Sequence, residues 1–94
     1  SSYEYRGEVS TPRGSSVRAM AFNENSGNKL LHVAGNGGFV TTFDMRSSRV
    51  LGNFISEGHD GSVISSIGVS KAGGNNCLAV GGEDGVVNVW LGNR

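Results

Sequence analysis

Short apolar runs alternate with clusters of Gly, Asn and Ser along most of this chain. Runs of this kind bounded by turn formers read as strands. The spacing predicts strands over residues 17–22, 30–34, 39–43 and 50–55, and a second set over 63–69, 77–80 and 86–90. Ahead of them, Tyr3 to Val9 alternates large and polar residues and reads as a half-buried or edge strand. Between them, Thr11-Pro12-Arg13-Gly14, Gly35-Asn36-Gly37-Gly38, Asp44 to Ser48 and Gly81 to Gly85 read as turns. Asn23 to Asn28 and Lys71 to Asn76 read as loops.

The second set repeats the first. With the chain shifted by 47 positions, Gly27 to Val40 falls on Gly74 to Val87 without a gap, and seven of the fourteen positions are identical. Val17 then falls on Ile64, and Phe43 on Trp90. A unit of four short strands recurring at this period is the sequence sign of a β-propeller blade.

Composition points the same way. Val (11) outnumbers Leu (5), and 16 of the 94 residues are Gly. β-branched residues suit pleated strands, and glycine at this density opposes helix. Eight basic side chains balance eight acidic ones, so no net charge favours non-specific nucleic-acid binding. Cys77 is alone and cannot form an internal disulfide. No apolar run reaches the roughly 20 residues of a membrane-spanning helix, and no leader-like segment opens the sequence.

The order of these features resembles the WD40 repeat family. Gly58-His59 matches its Gly-His dipeptide, Asp84-Gly85 its turn between strands, and Trp90 its terminal aromatic. Phe43-Asp44 matches the terminal Trp-Asp in the first repeat. The resemblance runs from about Ser15 to Trp90 and implies an all-β fold, a WD40 β-propeller fragment of about two four-stranded antiparallel blades. Residues 1–13 would be the outer strand of a preceding blade, 14–60 one full blade, and 61–94 an incomplete one. Propellers close at typically four to eight blades. The expectation is therefore a piece of a larger propeller or, alternatively, copies that associate into a ring.

The resemblance also implies roles. His59, Asp84 and Trp90 would share a hydrogen-bond network in the second blade, with Phe43 and Asp44 at the matching stations of the first. The sequence departs from the family scheme where Leu91 follows Trp90, where Gly37 occupies the turn-acid position, and around Val80 to Gly82, where a strand hydroxyl is expected.

Other chemistry finds structural explanations in the same residues. His59 with Asp84 has no nucleophile placed beside it by a motif. His32, His59 and Cys77 fit no paired zinc spacing, so no metal or cofactor is expected. The glycine-rich turns lack the Lys and Ser/Thr of a phosphate loop and open no helix. The residues without a blade role are the candidate rim contacts Arg46, Arg49 and Lys71, with Ser47, Ser48, Glu24, Asn25 and Lys29 nearby; ordinary solvated turn charges are the favoured account of the arginines.

The function expected is a non-catalytic scaffold whose partners are other proteins of a large assembly. A narrower likeness, in Phe54-Ile55-Ser56-Glu57-Gly58 and Gly85-Val86-Val87-Asn88-Val89-Trp90, is to WD40 components of the small-subunit processome. It implies pre-ribosomal RNA processing in the nucleolus, with RNA close by. A generic WD40 adaptor of a ubiquitin-ligase or chromatin complex, and an enzyme built on a propeller, are the alternatives.

Overall fold

The structure is a computed structural model, and it describes residues 2–5, 7–11, 16–25, 27–55 and 61–92. Seven strands form in chain order: β1 (Val17–Asn25), β2 (Asn28–Gly35), β3 (Phe39–Asp44), β4 (Arg49–Ile55), β5 (Ile64–Ala72), β6 (Asn75–Gly82) and β7 (Val87–Leu91). There is no α-helix among the described residues; a single 3-10 turn covers Asn36–Gly38. The all-β expectation holds. Strands β1 to β4 make a four-stranded antiparallel meander, and β5 to β7 a three-stranded one.

Strands β1, β2, β5 and β6 outgrow their apolar runs at the hairpin ends. β1 and β2 stay paired to Asn25 opposite Asn28, and β5 and β6 to Ala72 opposite Asn75. The expected loops over 23–28 and 71–76 are therefore mostly strand. Gly73 and Gly74 both have positive φ, 59° and 85°. Two such residues make the tight turn whose twist matches a hairpin, so pairing continues to its very edge. Glu24, Asn25 and Lys29, expected on a loop, are strand residues. The Tyr3 to Val9 segment, expected as a strand, carries no strand in its described residues. Tyr3 and Tyr5 are exposed, and without sheet pairing the alternation there has no ladder to support it.

The two sheets repeat each other in register. Val17 pairs with Gly35 and Ala19 with Ala34 across a bulge; 47 residues on, Ile64 pairs with Gly82 and Ser66 with Gly81 across the same bulge. Leu31 opposite Phe43 becomes Leu78 opposite Trp90. The bulge absorbs one residue, which turns Val17 and Met20 to one face although they lie three apart. A Cβ on Gly35 would run into the Ser16 carbonyl oxygen, so this position needs glycine for close approach.

Alternation then gives each sheet two faces. On the first sheet, Met20, Phe22, Leu31, Val33 and Phe43 form the front and His32, Ala34, Val40 and Thr42 the back. The back of the first sheet packs on the front of the second: buried Ala34, Val40, Ile64 and Val80 form one core, joined by Ile67, Leu78 and Trp90. A second core lies on the front of the first sheet, where Leu31, Val33 and Phe43 are covered by Val9 and Met45. Fully burying one such side chain contributes about 1.5–3 kcal/mol. Two surfaces remain open. Val17, Met20 and Phe22 are exposed at the front of the first sheet, and Val87, Val89 and Leu91 at the back of the second.

Candidate functional site

The turns after β1, β3 and β5 lie at one end of the strands, and the cationic side chains of the expected rim gather there. Arg46 is exposed on the turn from β3 to β4, and Arg49, expected on that turn, is exposed at the first position of β4, paired with Asp44. The Asp44 carboxylate accepts from the Arg46 backbone N–H at 2.9 Å, and Ser48 takes φ 58°. Asp44 thus shapes the turn through its own backbone, the common role of an acid at this place. The Met45 N–H donates to the Lys29 carbonyl at 3.0 Å and fastens the turn to the start of β2. The Lys29 ammonium stands 5.8 Å from the Phe22 ring centre.

Lys71 lies at the matching hairpin of the second sheet. Its Nζ donates to Asn76 Oδ1 at 2.7 Å and to the Glu24 carbonyl at 3.4 Å. Arg46, Arg49, Lys29 and Lys71 therefore share an end with Glu24 and Asp44. Glu8 also reaches it, lining a small hollow with Gly7, Val9, Met45 and Ser48. The rim is mixed in charge, with the two arginines presented outward.

The described blade-network residues differ in burial. Phe43 is buried at 2% exposure, while Trp90, at the matching register, is half-buried against the core between the sheets. The difference follows from what covers each ring: Val9 and Met45 close over the Phe43 side. Asp84 is exposed, and its carboxylate accepts from the Val86 N–H at 3.0 Å within the β6–β7 turn. Gly85, at φ 82°, completes that turn. His59 lies outside the described residues, as does Gly58.

One polar pair went unread in the sequence. His32 on β2 and Thr42 on β3 face each other across the ladder, and the imidazole Nδ1 shares a 2.7 Å hydrogen bond with the Thr42 hydroxyl. When the ring proton sits on Nε2, the hydroxyl donates. His32 is buried at 8% exposure. Burial disfavours the imidazolium and lowers its pKa from the ordinary 6.5. The second sheet has Ala79 and Val89 at these stations. Once the register is fixed the pair follows: partners across the β2–β3 turn have numbers that add to a constant, so Leu31 opposite Phe43 requires His32 opposite Thr42.

Cys77 is half-buried on β6. Among the described residues no group of three or more His, Cys, Asp or Glu could hold a metal ion. Among the same residues, no helix is long and apolar enough to cross a membrane. Comparison with known proteins finds no matching family model, no matching curated protein and no matching solved structure.

Proposed function

We propose that this chain is a non-catalytic interaction scaffold of the WD40 type, built from propeller blades and presenting turns to partner proteins. The observation that carries the reading is the registered repeat. Each pairing of β5 with β6 and of β6 with β7 is a pairing of the first sheet moved by 47 residues, bulge included. Rigid meanders stacked face to face hold their turns in fixed positions, and turns on a rigid frame are where binding usually resides. Among the described residues, Asp84 and Asp44 organise turns, and His32 pairs with Thr42.

The Phe54 to Gly58 and Gly85 to Trp90 sequences favour one setting, the small-subunit processome of the nucleolus, over the general WD40 adaptor. The exposed Arg46 and Arg49 are the contact residues of this proposal. The test is quantitative affinity purification of the tagged chain from nuclear extract, beside the double variant Arg46→Glu/Arg49→Glu. Processome proteins and pre-ribosomal RNA should co-enrich with the wild type and fall away with the variant. Enrichment of ligase or chromatin subunits instead would favour the adaptor reading. Contact with phosphate would add a salt dependence of about 0.7–0.9 in log K per neutralised phosphate and decade of salt.

A further inference from the structure

The two open faces of this molecule are the two halves of an interface it already contains. Within the chain, Val40 and Ala34 at the back of the first sheet pack with Ile64, Ile67, Val80 and Trp90 at the front of the second. Moving that contact by one repeat replaces Val40 with Val87, and replaces the four receiving residues with Val17, Met20, Val33 and Phe43. These four line one hollow of about 330 Å³ on the front of the first sheet, with Val9, Ser10 and Thr11 along one side. Val87, the counterpart of the fully buried Val40, is 68% exposed. Val9 already covers the Val33 and Phe43 side of the hollow, and its Val17 and Met20 side stays open at one end of the sheet stack, with the matching side chain at the other.

We propose that copies of this chain associate head to tail, with Val87 on the second sheet of one copy seated in the front-face hollow of the first sheet of the next. The proposal stands on the repeat geometry and is independent of the scaffold reading. The surfaces match in chemistry. Val87, Val89 and Leu91 form one apolar patch, Val17, Met20 and Phe22 the other, and contiguous exposed apolar area marks association surfaces. Inside the chain, Lys71 Nζ reaches the backbone carbonyl of Glu24, its counterpart one unit back, so the two sheets stack with matching stations in contact. Because the two patches differ, the contact is heterologous and generates a ring or an open stack rather than a closed dimer.

Light scattering and sedimentation of the purified chain test this. Wild type should assemble with rising concentration. Val87→Asp and Met20→Asp, both at exposed positions, should each weaken association at least about tenfold, because either buries an unpaired carboxylate at the joint. An equimolar mixture of the two variants should give a one-to-one complex that grows no further, since one keeps the hollow and the other keeps Val87. Should a variant lose its circular-dichroism strand signal, crosslinking replaces it. Met20→Cys and Val87→Cys, each with Cys77→Ser, are mixed and mildly oxidised, and a disulfide between positions 20 and 87 of different molecules is expected. A monomer at every concentration overturns the proposal. So does assembly indifferent to Val87→Asp, loss with Val87→Asp but not Met20→Asp, or a mixture that fails to pair or crosslink.

Discussion

Lys71 reaches back 47 residues and donates from Nζ to the backbone carbonyl of Glu24, its own counterpart in the preceding repeat. Two residues at one station of successive units touch, so the second sheet lies on the first with its strands in the same order and sense. β5 lies against β1 for that reason, and the back of one sheet meets the front of the next. The same offset relates the bulges, the hairpins and the aromatic positions, and it makes substitutions comparable between the sheets.

Phe43 and Trp90 give the first comparison. Phe43→Ala should cost about 3–5 kcal/mol, the range for truncating a buried aromatic, and bring the chain close to unfolding. Trp90→Ala should cost less, although the ring is larger, because Trp90 is half-buried in this chain. Urea midpoints of the two variants check the order. A larger loss at Trp90 would mean that assembly buries its remaining surface.

Glycines on β2 and β5 give a second. Gly35→Ala places a Cβ against the Ser16 carbonyl, and backbone must move to admit it. A loss of about 1–3 kcal/mol is expected, as for overpacking. Gly68 has open space around it, and its counterpart in the first repeat is Ala21. Gly68→Ala should therefore be neutral or stabilise by about 0.4–1 kcal/mol through the unfolded chain. Thermal melts of both variants distinguish the cases.

The β3–β4 turn gives a third. Ser48 holds φ 58°, a conformation that costs a non-glycine residue about 1–2 kcal/mol. Ser48→Gly should recover part of that cost, offset by the greater freedom of glycine when unfolded. Reversal of charge at exposed Arg46 and Arg49 should leave the unfolding free energy almost unchanged, within about 0.5 kcal/mol. A large loss there would assign the arginines a folding role and remove them as contacts.

The strand cores were legible because apolar residues of the sheets cluster in short runs, as at Leu30 to Ala34. Strand ends were not, since Asn25 with Asn28 and Ala72 with Asn75 pair through backbone groups that carry no side-chain signal. The Tyr3 to Val9 alternation misled because period two describes a strand only where a neighbouring strand exists. The faces depended on the bulge: plain alternation would send Val17 and Met20 to opposite sides. Arg46 was legible as a turn residue, whereas the company of the rim arginines with Lys71 and Glu24 required the stacking of two sheets. The His32–Thr42 pair required register, which composition does not contain.

That pair carries a pH dependence of defined sign. The folded state holds His32 neutral by burial, with a pKa below 6.5, whereas the unfolded chain binds the proton at the ordinary value. Between those two values the unfolded state carries more protons, so stability rises with pH there. It is fully present above 6.5, is lost as the pH falls below it, and levels off beneath the folded pKa. Denaturant unfolding of the wild type from neutral to mildly acidic pH should show this decline, and His32→Ala/Thr42→Val should flatten it. The double change installs the side chains that the second sheet already carries at these stations, Ala79 and Val89, and removes both polar partners together. Replacing both partners of a buried hydrogen bond by apolar groups is close to neutral, whereas removing one leaves the other unsatisfied at about 1–3 kcal/mol. Thr42→Val alone should therefore destabilise at neutral pH by more than the hydroxyl's own interaction, because the imidazole Nδ1 loses its partner. Should the acid decline persist undiminished in the double variant, the carboxylates rather than His32 would be its source.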